Sequence, residues 1–83
     1  MSFFVYIIYS ASLDCYYTGS TGQLEDRLYR HRNSGIKSTK KAKDWTLKYT
    51  ESFDTYAQAA ARELQIKKKK SRSYIEYLIA LKN

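Results

Sequence analysis

The chain is poor in the residues that mark linkers and covalent cross-links. Its 83 residues contain no proline, three glycines, one histidine and one cysteine, Cys15. A single cysteine excludes an internal disulfide and is typical of a reducing compartment, so we expect a cytoplasmic protein. The apolar run Phe3–Tyr9 has no basic leader and is too short to cross a membrane, so we expect neither a signal peptide nor a membrane protein.

Basic residues are missing from the first 23 positions, which hold one acid, Asp14, and no lysine or arginine. All 15 basic residues follow, and the formal net charge is +7. This distribution favours a neutral scaffold that carries a polyanion-binding surface, although small domains also use net charge for solubility. The length predicts one domain over residues 1–83 with a modest core, because such chains bury only about 60% of their unfolded surface.

The hydrophobic pattern predicts an α+β fold, a small three-stranded antiparallel sheet flanked by helices in the order β-β-α-β-α-α. The predicted strands are Phe3–Tyr9, which is apolar on both faces and therefore central, Cys15–Thr18, and Trp45–Phe53. The predicted helices begin after Ser20 or Thr21, at about residue 56, and at the Ser73-x-x-Glu76 capping box.

Three finer expectations follow from the same pattern. Tyr6 can lie opposite Tyr17 in a hairpin, which would place both phenols on one face. Alternation in the third strand predicts one shared face for Trp45, Leu47 and Tyr49. The segment 36–44 has four lysines and little apolar content, so we expect a mobile loop.

The first helix predicts an anion site. Arg27 and His31 are four residues apart, so their Cβ atoms lie about 5–6 Å apart on one face, at the rim of the stripe formed by Leu24 and Leu28. Arg27 has no acidic residue three or four positions away, and Asn33-Ser34-Gly35 is expected to end the helix. A bound anion would explain the unbalanced charge, whereas a histidine of this kind taken alone is more often a surface residue.

Taken together, these residues resemble the GIY-YIG nuclease superfamily, and within it the small single-domain (UPF0213-like) members. Phe4-Val5-Tyr6 and Tyr17-Thr18-Gly19 occupy the two tripeptide motifs, with Phe4 and Thr18 departing from them. Arg27 and His31 match the Arg and His of the following helix, and Glu63 matches the single glutamate of a later helix. The resemblance covers nearly the whole chain in order.

The resemblance implies metal-dependent hydrolysis of phosphodiester bonds, in DNA repair or recombination. Glu63 would hold one divalent ion, Mg²⁺ or Mn²⁺, and Arg27 would stabilise the charge on the phosphate. Tyr6 would be the general base, helped by Tyr17, and His31 would orient the water or the phosphate. A free phenol has a pKa of about 10, so nearby cations or the metal would have to lower it. The pairing of Glu63 with Lys67, four residues on, would have to be loose or absent.

The remaining basic residues predict contacts with a nucleic-acid backbone, DNA being the expected partner. The candidates are Arg30, Lys37, Lys40, Lys41, Lys43, Lys67, Lys68 and Arg72. We expect a monomer, and the sequence leaves open whether a targeting protein is a second partner. The main alternative is a non-catalytic nucleic-acid-binding module of the same fold that acts with a partner protein. A third is a basic domain recruited by an acidic protein or membrane surface.

Overall fold

A computed structural model of the chain describes residues 2–33 and 35–82, without the side chain of Ser38. The strands are β1 (Phe3–Ser10), β2 (Cys15–Thr21) and β3 (Trp45–Phe53), and the helices are α1 (Leu24–Arg32), α2 (Tyr56–Lys69) and α3 (Arg72–Lys82). A 3₁₀ turn at Lys37–Thr39 lies between α1 and β3. The predicted α+β order is confirmed.

The sheet is antiparallel with the strand order β2-β1-β3, so β1 is central as its apolar sequence predicts. Val5 and Ile7 face α2 and α3, and pack with Tyr49, Ala59 and Leu78 among others. On the other face, Tyr6 and Ile8 pack with Ala42 and Trp45, against which Leu24 and Leu28 of α1 also lie. Both faces are covered because successive side chains of a strand point to opposite sides.

The hairpin register differs from the expected one by two residues. Tyr6 pairs with Gly19, and Tyr17 pairs with Ile8, because the turn between the paired residues Ser10 and Cys15 contains four residues. A shift of two residues keeps every side chain on its face. The two phenol rings are therefore diagonal neighbours on the α1 side of the sheet, with their centroids 6.5 Å apart.

The start of α1 was predicted two or three residues too early. Because β2 runs through Ser20 and Thr21, the N-cap is Gln23, whose backbone N–H donates to the Thr21 hydroxyl. At the other end, Arg32 is the last residue of α1 and Asn33 follows as its C-cap, while Ser34 lies outside the described residues.

The prediction of one shared face in β3 is wrong. The pairing of β3 with β1 slips between Ile7 and Ile8, so that Tyr49 pairs with Ile7 but Leu47 pairs with Ile8. Lys48 is the extra residue, and such a bulge reverses the alternation beyond it. Trp45 therefore faces α1, whereas Tyr49 packs under α2 and α3.

The helices α2 and α3 differ in how well their starts were predicted. The Thr55–Gln58 capping box of α2 is present in both directions, as its sequence predicts. For α3 the capping hydroxyl is Ser71, which accepts from the Tyr74 backbone N–H, and Ser73 lies inside the helix. Leu78 is buried and Ile75 and Ile79 pack beside it, so these three residues form the core face of α3.

Candidate functional site

A buried hydrogen bond joins Tyr6 of β1 to His31 of α1. The Tyr6 hydroxyl lies 2.8 Å from His31 Nε2, and the two residues are 1% and 0% exposed. The sequence places His31 at the rim of the buried face of α1. The structure corrects this, because the imidazole is fully buried against the rings of Tyr6 and Tyr17.

The second phenol completes an aromatic cluster around the imidazole. The ring of Tyr17 lies 5.1 Å from the His31 ring and the ring of Tyr6 lies 5.6 Å from it, measured between centroids. Tyr17 is only half-buried, so the cluster has one side closed by the core and one side towards solvent.

His31 has a second partner that the sequence did not indicate. Its Nδ1 lies 2.7 Å from the Thr39 hydroxyl, and Thr39 is 1% exposed. The indole N–H of Trp45 donates to the Thr39 carbonyl at 3.0 Å. The loop that was predicted to be mobile is thus anchored at Thr39 and at the buried Ala42. In the sequence, Thr39 is distinguished only as a threonine among lysines.

Burial controls the charge of both partners. It lowers the pKa of His31 to about 4, with a further lowering by the nearby Arg27, so the imidazole is neutral at pH 7. The pKa of Tyr6 is raised above its usual 10, first by burial, then by Tyr17 and Glu63, and Arg27 opposes this only in part. The expectation that local cations lower the pKa of this phenol is therefore wrong in the absence of a metal.

Arg27 is the unbalanced cation at the site. It is half-buried and makes no ion pair with any residue of the described ranges 2–33 and 35–82, although it influences the pKa of both Tyr6 and His31. Its neighbour Arg30 is different, because its Nε lies 3.1 Å from the Asp26 carboxylate on the exposed face. Only the first of these two arginines retains an uncompensated charge next to the phenols.

Glu63 of α2 approaches the cluster at the free edge of β2. One carboxylate oxygen accepts from the Ser20 hydroxyl, and the other accepts from the Lys67 ammonium at 2.5 Å. The Lys67 ammonium also lies 5.6 Å from the centre of the Tyr17 ring. The expected loose or absent Glu63–Lys67 pairing is wrong, since the i, i+4 geometry places the two groups together.

The backbone of Gly19 lies directly beneath the Tyr6 ring. A Cβ atom at this position would be 2.5 Å from the Tyr6 hydroxyl oxygen and 2.7 Å from Cζ, which is closer than atoms can approach. Glycine is thus needed here for the fit of the phenol, and φ is not positive at this residue.

Comparison with known proteins identifies the family of the chain. The profile of the GIY-YIG catalytic domain matches residues 2–75. The chain belongs to the GIY-YIG family. This membership supports a nuclease-type function.

Three UPF0213 proteins are similar to this GIY-YIG chain. UPF0213 protein VNG_2274C of Halobacterium salinarum is 41% identical over 64 residues, which are 76% of this chain and 82% of that protein. UPF0213 protein SSP2268 of Staphylococcus saprophyticus is 42% identical over 52 residues, 61% of this chain and 63% of that protein. The solution NMR structure of UPF0213 protein BH0048 from Bacillus halodurans has a TM-score of 0.61 at 30% identity, and the alignment covers 99% of this chain and 86% of that one.

The other basic residues of this GIY-YIG domain do not converge on one point. Beside Lys67, a groove of about 420 Å³ runs along β2 to the junction of α2 and α3, and its lining includes Tyr17, Lys70 and Arg72. Arg72 is bound to Asp14 and Glu76, so its charge is balanced. The remaining candidates, which are Lys37, Lys40, Lys41, Lys43 and Lys68, are exposed to solvent away from that groove's lining.

The donor set fits a hard divalent ion held by one protein carboxylate. No group of three or more His, Cys, Asp or Glu side chains comes together within the described part of the chain, so Glu63 stands alone at this edge. A carboxylate and water oxygens are the ligands that Mg²⁺ and Mn²⁺ prefer. Separately, every helix within residues 2–33 and 35–82 is too short or too polar to cross a lipid bilayer.

Proposed function

We propose that this GIY-YIG domain is an endonuclease that hydrolyses phosphodiester bonds in DNA with the help of Mg²⁺ or Mn²⁺, in DNA repair or recombination. The observation that carries the proposal is the buried Tyr6–His31 hydrogen bond beside Arg27, whose guanidinium makes no ion pair within the described residues. A phenol and a neutral imidazole can move a proton, and a free cation beside them can hold a phosphate.

Tyr6 and His31 together act as the base. As the attacking water gives a proton to the Tyr6 oxygen, the phenol gives its own proton to Nε2 of His31. The water oxygen forms a bond to phosphorus and the ester oxygen leaves on the cut strand. Burial raises the pKa of Tyr6 and lowers the pKa of His31, so both a free phenolate and an imidazolium are costly here. The two proton transfers are therefore coupled to the attack on phosphorus, where the negative charge of the phosphate offsets the positive charge on His31.

Arg27 and Glu63 act on the phosphate from the open side of the cluster. The guanidinium is a planar donor that stays charged at any physiological pH, which suits it to the negative charge that grows in the transition state. Glu63 would hold the divalent ion, and when bound this ion supplies Lewis-acid polarisation of a phosphate oxygen. Tyr17, packed on His31, keeps the imidazole facing Tyr6.

A cleavage assay with three proteins tests the proposal. Wild type, Arg27→Ala and Glu63→Gln are incubated with branched, single-stranded and duplex DNA in Mg²⁺, in Mn²⁺ and in chelator. We expect cleavage by wild type only, lost in chelator, with a rate loss of about 100-fold or more for each variant. Equal cleavage by all three proteins would reveal a contaminating nuclease and contradict the proposal.

The ion pair of Glu63 makes a separate prediction about metal binding. The Lys67 ammonium competes with a cation for the same carboxylate, so Lys67→Met should tighten Mn²⁺ binding about two- to fivefold, the equivalent of a partly exposed ion pair of ~0.4–1 kcal/mol. Mn²⁺ titration followed by electron paramagnetic resonance measures this. Lys68→Met removes the same charge one residue further on and should leave the affinity nearly unchanged, and equal effects of the two variants would exclude Glu63 as the ligand.

The same ion pair also favours a second candidate, a nucleic-acid-binding module without cleavage that acts with a partner protein. Both oxygens of Glu63 already have partners, Ser20 and Lys67, so the carboxylate has a structural role even without a metal. DNA that is retarded in a gel but stays uncut in every metal would favour this candidate over the nuclease.

A further inference from the structure

Thr39 connects the lysine-rich loop to the centre of the candidate site. Its hydroxyl is the partner of His31 Nδ1, on the side of the imidazole opposite Tyr6. All three side chains are 1% exposed or less, so the two hydrogen bonds that join them are shielded from bulk water. Thr39, His31 and Tyr6 therefore form a buried chain of hydrogen-bonded side chains.

The direction of the hydrogen bonds in this chain can be assigned. Within the described residues, the Tyr6 hydroxyl has no hydrogen-bond partner other than His31. A buried phenol that donated to nothing would be strongly unfavourable, so Tyr6 donates and Nε2 accepts with its lone pair. A neutral imidazole then carries its hydrogen on Nδ1, which donates to the Thr39 oxygen.

The loop backbone fixes the other end. The Thr39 hydroxyl oxygen lies 3.4 Å from the Ile36 carbonyl oxygen, which also accepts from the Thr39 backbone N–H at 3.1 Å. A hydroxyl that donates to this carbonyl has its lone pairs directed at Nδ1. The 3₁₀ turn thus holds Thr39 as an acceptor, and the bond from the Trp45 indole to the Thr39 carbonyl holds the turn in place.

We propose that Thr39 is a positioning residue that fixes the Nδ1–H tautomer of His31, and thereby keeps the Nε2 lone pair available to the Tyr6 hydroxyl. Without it, the imidazole would also populate the Nε2–H form, which would donate to Tyr6 and could not take its proton. The catalytic part of this role rests on the proposed function, whereas the tautomer itself does not.

Nuclear magnetic resonance of the histidine ring tests the tautomer directly. Since His31 is the only histidine of the chain, a long-range ¹H–¹⁵N correlation spectrum at pH 7 reports its two ring nitrogens without ambiguity. We expect a protonated Nδ1 in wild type and in Thr39→Ser, which keeps the hydroxyl. Thr39→Val has nearly the same shape but no acceptor, and it should show a mixture with the Nε2–H form.

Cleavage rates measured on the same proteins test the consequence. We expect Thr39→Val to slow single-turnover cleavage at least about tenfold, part of the 10²–10⁴-fold that general bases contribute, and Thr39→Ser to restore most of the rate. Thr46→Val is the control, because Thr46 is exposed and its hydroxyl donates to the Tyr9 carbonyl rather than to the imidazole, so the tautomer and the rate should be unchanged.

The spectra test the tautomer of His31, and the cleavage rates test its catalytic role. A Thr39→Val protein that keeps the wild-type tautomer overturns the proposal, and a changed tautomer with an unchanged rate overturns its catalytic part. If Thr39→Val does not fold, a wild-type spectrum with the proton on Nε2 still overturns it. If wild type cleaves no DNA, the proposed nuclease function fails, and the tautomer of the Val and Ser variants alone decides the role of Thr39.

Discussion

At the scale of single residues, the site depends on one position where no side chain fits. Gly19 pairs with Tyr6 in the hairpin, and the hydroxyl end of the Tyr6 ring occupies the space that a Cβ of residue 19 would need. This contact sets the height of the Tyr6 hydroxyl above the sheet, and so its distance to His31. Gly19, the last residue of the second tripeptide motif, therefore acts through Tyr6, the last residue of the first.

Gly19→Ala tests this contact. The added methyl group would force the Tyr6 ring to move, which should lower the free energy of unfolding by about 1–3 kcal/mol. Displacement of the hydroxyl by about 1 Å should also slow cleavage, by up to about 100-fold. Urea denaturation and single-turnover cleavage measure the two effects.

Gly22→Ala is the matched control for this substitution. Its Cβ would lie 3.0 Å from the edge of the Phe3 ring, away from the phenols and the imidazole. We expect Gly22→Ala to lower the free energy of unfolding. Its single-turnover cleavage rate should equal that of wild type under conditions in which both proteins are folded. A Gly19→Ala protein that cleaves like wild type would show that the position of Tyr6 is not set by this glycine.

The side chains that the sequence identified share a distinctive spacing along the chain. Arg27 and His31 could be named from the unbalanced charge on one helix face, whereas Tyr6, Tyr17 and Glu63 were named because their spacing resembles that of the GIY-YIG family. Thr39 could not, because its role depends on how a loop without periodicity folds back over α1. The partnership of Glu63 with Ser20 was missed for a similar reason, since Ser20 was assigned to a helix cap instead of a strand edge.

At the scale of secondary structure elements, local signals were reliable where a single hydrogen bond decides a boundary. Thr55 and Gln58 satisfy each other in α2 as expected. Two serines compete for the start of α3, and the capping-box pattern selects the wrong one, because Ser73 has a glutamate three residues on and Ser71 does not. Ser71 prevails because α2 ends in a left-handed residue, Lys70, which turns the chain directly into the cap.

Replacing each serine by alanine tests the boundary of α3. Ser71→Ala removes the acceptor for the Tyr74 backbone N–H and should cost about 1 kcal/mol of stability. Ser73→Ala, inside the helix and exposed, should be neutral or slightly stabilising because alanine has the higher helix propensity. The midpoints of urea denaturation of the two variants measure these effects. If Ser73→Ala were the less stable variant, Ser73 would be the N-cap of α3.

The faces of β3 show why register is harder to predict than element type. One extra residue, Lys48, moves Tyr49 from the face of Trp45 to the opposite face. Nothing in an alternating sequence marks the position of such a bulge, because both faces of this sheet are covered and either side can accept an aromatic ring. The type and order of the elements follow from periodicity, whereas the register follows from tertiary packing.

At the scale of the whole molecule, a buried neutral histidine couples folding to pH. The folded chain keeps His31 neutral down to about pH 4, whereas the unfolded chain protonates it near pH 6.5. Between these values the unfolded state binds more protons, so acid favours unfolding. The lowered pKa values of Asp14, Asp44 and Glu51 act in the same direction, but only as the pH falls through the range in which free carboxyls titrate.

We therefore expect the free energy of unfolding to fall by roughly 1–2 kcal/mol between pH 7 and pH 5, above the range of those carboxyls. Urea denaturation at the two pH values measures the change. His31→Gln has no imidazole to protonate and should show little of this dependence. A wild-type protein that is equally stable at both values would mean that the imidazole is open to protons in the folded state.

The anchoring of the loop also makes its position observable by tryptophan fluorescence. Trp45 is the only indole of the chain, and its ring N–H is bonded to the loop carbonyl of the residue that supports His31. The fluorescence emission of Trp45 therefore depends on whether this loop is packed against His31. A phosphate ester that draws the loop lysines towards itself would change this fluorescence without any label, and binding could be followed in real time before a bond is cut.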